Sequence, residues 1–375
     1  GQAVNYDGSI TYPLGVDLFV SKLSTDGTQL LSSTFVGGSG NDGLNYQTYY
    51  ANFLMFGNDS LYYNYGDGAR GEITTDEQGN VYVGTCTFST DFPVSSNSFQ
   101  TTNHGKQEGI AFKLDFNLSN LIWSSYIGGS NDDAVYSIDI DSLNNVFISG
   151  GTASVNFPST ANAYKTTFQG GTTDAFVSKI SPNGNVLLAS TFFGSPEYDQ
   201  SYFVKVSKKG FVHIYGQTKA DSNLLIYNAA YNVPNSGQFI TKFKNNLDSL
   251  VWSTVFGTGD GKPNISPTAF AVDVCNRIYL SGWGRYWAGY AGGPNWGQVF
   301  GTVNMPVTAN AYQSTTDGQD FYILAMSDDA STLDFATYFG ELHTGLNYNG
   351  YDHVDGGTSR FDKKGNVYQS VCASC

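Results

Sequence analysis

One seven-residue block appears five times along this 375-residue chain. VYVGTCT at 81–87 is followed by VFISGGT at 146–152, VHIYGQT at 212–218, IYLSGWG at 278–284 and VYQSVCA at 367–373, at spacings of 65, 66, 66 and 89 residues. Two other blocks keep step with it. One is DLFVSKL (17–23), EGIAFKL (108–114), DAFVSKI (174–180), GQFITKF (237–243) and DFYILAM (320–326). The other is LLSSTFVGG (30–38), LIWSSYIGG (121–129), LLASTFFGS (187–195), LVWSTVFGT (250–258) and LDFATYFGE (333–341). All are short, β-branched and aromatic, and bounded by turn residues, which is the signature of strands.

Turns such as Ser24-Thr25-Asp26-Gly27 and Ser181-Pro182-Asn183-Gly184 separate the second and third blocks and supply the positive φ of tight hairpins, so those strands are antiparallel neighbours. A further strand precedes the first block, as in AVYSIDID (134–141) and YFVKVS (202–207), and no convincing amphipathic helix is present. Each period thus holds four strands, here called A to D with A innermost. One small sheet cannot cover both its faces, so a repeated four-stranded meander predicts an all-β fold of β-propeller blades stacked about an axis. Blades are expected at about 71–129, 134–195, 201–258 and 268–341, with strands C and D of a further blade at 17–38 and A and B of another at 356–371. That makes five blade equivalents in one propeller domain or fragment, either joined into one ring or short of blades.

Composition narrows the function. With 18 Lys+Arg against 32 Asp+Glu the formal charge is −14, which repels a phosphate backbone, so nucleic acid is not an expected partner. No stretch approaches the ~20 apolar residues of a membrane-spanning helix, so membrane insertion is not expected. Many Asn, Ser, Thr and Gly with little Lys favour an extracellular or cell-surface location, and the absence of an initiator Met before Gly1 reads as a mature or excised piece.

The motifs GNVYVGT (79–85), DFP (91–93), NAY (162–164), GGTTDAFVSK (170–179), SPNG (181–184) and STFFG (190–194) resemble the SBBP family of seven-bladed propeller repeats of bacterial surface proteins. The last third, with DVCNRIYLSGWG (273–284), TANAYQSTTDGQDFY (308–322) and HVDGGTSRFDKKGNVYQSVCASC (353–375), is similar to large secreted proteins of Bacteroidota that end in a gliding-motility-associated sorting domain. The resemblance implies type IX secretion, surface attachment or release and more chain after Cys375, and it does not imply an enzyme. Five units instead of seven and the lack of a visible sorting domain are departures from that pattern.

Propeller connectivity puts the B–C and D–A connections on one rim, and the long ones share it: 42–70, 283–307 and 342–355. Trp283, Tyr286, Trp287, Tyr290 and Trp296 in one glycine-rich loop, with Tyr49, Tyr50, Tyr62 and Tyr63 in another, offer flat faces to a sugar ring or peptide, or pack on each other to hold the insertion together. His343, Asp352, His353 and Asp355 are weak metal candidates at a spacing that fits no zinc motif. Gly-Ser-Gly-Asn-Asp (38–42) and Gly-Ser-Asn-Asp-Asp (129–133) are weak calcium candidates that a D–A turn explains equally; otherwise no cofactor is implied. Cys372 and Cys375 are candidates for a local disulfide or for a bond to a cysteine further on, whereas Cys275 sits on the rim opposite Cys372. No nucleophile elbow or HExxH is found.

The expected function is therefore that of a non-enzymatic structural or adhesive module binding a protein or glycan through its long-loop face. One alternative is a carbohydrate-active propeller with paired carboxylates in an axial pocket. The other is a structural part of a surface filament or secretion-associated complex, whose partners would be its other subunits.

Overall fold

The computed structural model describes residues 3–4, 9–12, 14–46, 48–50, 55–56, 61, 63–221, 223–284, 301–341, 360–362 and 365–368. Strands dominate them, and the chain has the all-β architecture of a β-propeller. Blade I comprises Glu72–Thr75, Val81–Thr87, Glu108–Leu114 and Leu121–Ile127. Blade II comprises Asp133–Ile140, Val146–Thr152, Asp174–Ile180 and Leu187–Phe193. Blade III comprises Asp199–Val206, Val212–Thr218, Gln238–Phe243 and Leu250–Phe256. Blade IV comprises Ser266–Val272, Ile278–Trp283, Phe321–Met326 and Leu333–Phe339. Each is a four-stranded antiparallel meander. Leu18–Leu23 pairs with Leu30–Val36 as strands C and D, and Arg360–Phe361 with Val367–Tyr368 as strands A and B.

The strands form where they do because side chains on both faces of each blade are needed. Alternate residues of one strand belong to different apolar clusters: Phe176 packs toward blade I with Ala111 and Ile127, and Val177 toward blade III with Phe239 and Val255. At that spacing a strand buried on both faces reads as a nearly continuous apolar run, as VFISGGT does. Tight A–B turns close the other rim. Asp76 accepts from the backbone N–H of Gln78 (3.1 Å) and Asn80 (2.8 Å), and Asp141 repeats this with Leu143 (2.9 Å) and Asn145 (2.9 Å).

One region departs from its reading as a plain loop. Within 42–70, Thr48–Tyr50 and Met55–Phe56 are strands that extend a small sheet with Ser9–Thr11 and Ala3–Val4, and Tyr65–Ala69 is a 3-10 turn. Strands of two or three residues carry too little periodicity to show in a sequence pattern.

Candidate functional site

The long-loop rim was expected to hold the working surface, and at its centre the described residues form a plug. Leu61 and the segment Tyr63–Arg70 are tied to three blades around the axis. Leu61 C=O accepts from Tyr136 Oη (2.7 Å), Asn45 Nδ2 (3.2 Å) and Gln200 Nε2 (3.2 Å). Asn64 Nδ2 donates to Tyr202 Oη and Gln217 Oε1, both at 2.8 Å. Arg70 reaches blade IV, donating from Nη2 to the Pro267 carbonyl (3.1 Å), and its guanidinium lies 4.6 Å from the Tyr202 ring centroid.

Asp67 organises this plug. Fully buried, it accepts from the backbone N–H of Tyr63 (2.9 Å) and Asn64 (2.7 Å) and from Tyr202 Oη (3.0 Å), and pairs with Arg70 Nε at 3.2 Å. Burial pushes its carboxyl up, and the Arg70 guanidinium opposes that shift. A buried charge persists only when paired and hydrogen-bonded, and here every partner comes from the chain itself. Below the plug the axis is occupied by Lys205 Nζ and Glu72 Oε1 at 2.7 Å, with Ser137 Oγ also bonded to Glu72.

The aromatic candidates fare differently. Tyr63 is buried and stacks on Tyr198 with centroids 4.2 Å apart, under Lys219. Trp283 ends strand B of blade IV and is buried against Phe321. Both rings are packing elements. Tyr49 and Tyr50 lie on the strand Thr48–Tyr50. Tyr62, Tyr286, Trp287, Tyr290, Trp296, His343, Asp352, His353, Asp355, Cys372 and Cys375 lie outside the described residues. Cys86 is buried with its thiol 3.4 Å from the Leu44 carbonyl, and Cys275 is exposed.

Acidic residues of the two candidate calcium runs serve their own turns. Asp42 accepts from Gly38 N–H and Asp133 from Gly129 N–H, each at 2.7 Å, and Asp199 repeats this with Ser195 N–H at 2.6 Å. Beside each of them sits a second acid that sequence reasoning passed over: Asp17 at Asp42, Glu108 at Asp133 and Asp174 at Asp199. A Cβ built on Gly194 would lie 2.7 Å from Asp174 Oδ1 and 3.0 Å from Asp199 Oδ2, so only glycine leaves the pair room. Burial pushes both Glu108 and Asp174 up to about 8, with the neighbouring aspartate adding to the shift. Both side chains are fully enclosed. Blade III shows the turn working without them: Gly237 replaces the strand C acid, and Asn264 Oδ1 accepts from Thr258 N–H at 3.0 Å. The signal was the first letter of the second block, where Asp17, Glu108, Asp174 and Asp320 recur.

A wider opening lies on the opposite rim, about 590 Å³, between the A–B turns at Asp76, Asp141 and Ser207. Its two aspartates are the turn acceptors already described, and Asp76 also holds Lys113 (3.2 Å).

The family model for SBBP, the beta-propeller repeat, matches residues 122–158, from strand D of blade I through strand B of blade II. Among solved structures, the chain is similar to a protein of unknown function from Bacteroides caccae (9% identity, TM-score 0.37, covering 88% of this chain and 77% of that one). It is also similar to a europium-containing methanol dehydrogenase (11% identity, TM-score 0.32, covering 98% and 71%). No curated protein matches it. One segment of the chain matches a beta-propeller repeat, and the blades give the chain a β-propeller fold.

Proposed function

We propose that the chain is a non-enzymatic extracellular module, structural or adhesive, that meets a protein or glycan with the surface of its long-loop rim. One observation carries this reading: Leu61 and Tyr63–Arg70 stand at the axial mouth on that rim, where the Leu61 carbonyl, Asn64, Asp67 and Arg70 are bonded to blades II, III and IV. A small substrate needs a concave pocket with free polar groups, whereas a filled mouth offers a broad surface suited to a macromolecule. The carboxylate pairs seen in blades I and II are enclosed, so they present no acid and base to a sugar chain. Export by type IX secretion and tethering at a Bacteroidota cell surface fit the same reading, supported by the resemblance of residues 273–375 alone.

Incubating the purified chain with a panel of bacterial and plant polysaccharides and with outer-membrane protein extracts, while recording both retention and reducing-sugar release, tests this. Saturable retention without released sugar is expected, and Trp287→Ala with Trp296→Ala should weaken it without lowering the melting temperature. Catalytic release of sugar would overturn the reading.

A further inference from the structure

Two junctions between blades carry an acid on each side, one opening strand C of a blade and one opening strand A of the next. Glu108 of blade I faces Asp133 of blade II, and Asp174 of blade II faces Asp199 of blade III. Each pair straddles one glycine. Glu108 Oε2 and Asp133 Oδ2 both lie within 3.0 Å of the point where a Cβ on Gly128 would stand, and Asp174 Oδ1 and Asp199 Oδ2 do the same at Gly194. A further pair, Asp17 with Asp42 at Gly37, is open to solvent on the Asp17 side.

Most of the other oxygens are held by donors. Glu108 Oε1 accepts from the N–H groups of His104 (2.6 Å) and Gly105 (3.0 Å), and Asp174 Oδ2 from that of Gln169 (2.5 Å). Asp174 Oδ1, which faces Asp199, has no hydrogen-bond donor although the residue is completely buried. An ionised oxygen left in that state is costly, and two enclosed carboxylates this close do not both ionise.

The junction between blades III and IV is the built-in contrast. Gly237 stands there in the strand C position and Asn264 in the strand A position. Asn264 Oδ1 accepts from Thr258 N–H at 3.0 Å, as Asp133 and Asp199 accept from Gly129 and Ser195, so the turn needs an acceptor and not a charge. Where one acid is missing its partner is an amide, and these three junctions hold two acids or none.

A metal ion fits the pairs poorly. Calcium takes about six to eight oxygens, whereas each pair turns two toward the shared space. Lys165 Nζ, on Gln169 Oε1 (2.6 Å) and Gly194 C=O (3.1 Å), already brings a positive charge to Asp174 and Asp199. Facing the I–II pair are Asp132, Tyr126 and His104, whose ring bonds Thr102 at 3.0 Å.

We propose that each of these two pairs shares one proton, donated by one carboxyl to the facing oxygen of the other, and that this O–H···O link clasps neighbouring blades at the long-loop rim, so that alkaline pH loosens the I–II and II–III junctions and spares III–IV. Burial pushes Glu108 and Asp174 up to about 8, Asp133 to about 7 and Asp199 to about 6, the direction a retained proton requires. The closed junction therefore binds more protons than the open one, and the clasp is fully present below about pH 4 and lost as the pH rises toward 8. It works the same way whatever the rim binds.

Hydrogen exchange of the unsubstituted chain between pH 5 and pH 8, corrected for the intrinsic pH dependence of amide exchange, reads the junctions side by side. Protection of Gly129 and Asp133 at I–II, and of Ser195 and Asp199 at II–III, should fall about tenfold per pH unit, the slope of one linked proton, while Thr258 and Asn264 at III–IV stay constant. Glu108→Gln with Asp174→Asn should abolish that slope. The infrared C=O stretch of a protonated carboxylic acid should be present at pH 6, absent at pH 10, and weaker at pH 6 in the double variant. Constant protection at all three junctions, an equal fall at III–IV, or no carboxylic acid band in the unsubstituted chain would overturn the proposal. So would protection that calcium restores at pH 8 and EDTA removes, which would make the pairs a cation site.

Discussion

Blade II and the N-terminal hairpin carry nearly the same sequence, DAFVSKI against DLFVSKL, yet Phe176 is fully buried and Phe19 largely exposed. Local propensity and pairing are alike in the two: both strands C pair with their strand D in the same register, with the irregularity at the last residue of each. What differs is the neighbour. Burial in this architecture is a property of an interface between repeats, so the worth of a residue depends on whether the next blade is present.

Substitution at that matched position sharpens the comparison most. Phe176→Ala should cost about 3–5 kcal/mol, the usual loss for deleting a buried aromatic. Phe19→Ala, at a side chain that is 70% exposed, should change stability by less than about 0.5 kcal/mol. Equilibrium denaturation of both variants reads the difference.

The plug offers the polar counterpart. Asp67→Ala would strand the Arg70 guanidinium inside the axis, and breaking a buried pair in this way costs about 3–5 kcal/mol. A loss below about 1 kcal/mol would mean that the segment is loosely held and solvated, like an exposed pair.

The acid pairs predict a smaller, pH-dependent effect. Glu108 and Asp174 have folded pKa values raised by burial to about 8, above those of an unfolded chain. The folded state therefore binds more protons, so their contribution is fully present below about pH 4 and is lost as the pH rises toward 8. Melting temperature should fall between pH 5 and pH 9. Glu108→Gln should flatten the decline, since the backbone N–H bonds that Glu108 accepts from His104 (2.6 Å) and Gly105 (3.0 Å) can also be accepted by an amide oxygen. Asp26 and Asp329, held down at about 2 chiefly by hydrogen bonds from Ser24 and Ser331, titrate below that window. A pH-independent melting temperature would count against shared protons in these pairs.

The smallest effect is expected on the opposite rim, beside the A–B turn of blade IV. Arg277 Nε and Asp334 Oδ2 are 3.1 Å apart but largely solvated, so Asp334→Ala should change stability by less than about 1 kcal/mol, as thermal melts would show.

The blades were legible because each strand repeats its apolar pattern at a fixed spacing, and five aligned copies of Phe19, Ile110, Phe176, Phe239 and Tyr322 outweigh any single ambiguous segment. The plug was not legible. Asn64, Tyr136, Tyr202 and Gln217 are distant in the chain and meet only once blades II and III are stacked, and Tyr63 read as a displayed ring because its partner Tyr198 lies at the start of blade III. The buried acids were visible as letters but not as a pair, since the closeness of Asp174 and Asp199 depends on the backbone at Gly194.

Native-state hydrogen exchange of residues 61–70 tests the filled axis most directly. Amides such as those of Asn64 and Asp67 should exchange as slowly as strand A of blades II and III, because opening the plug means exposing Asp67, Arg70 and the tyrosines together. Exchange at the rate of an exposed loop would mean that the mouth stands open, and the reading of this rim as a surface for macromolecules would fail.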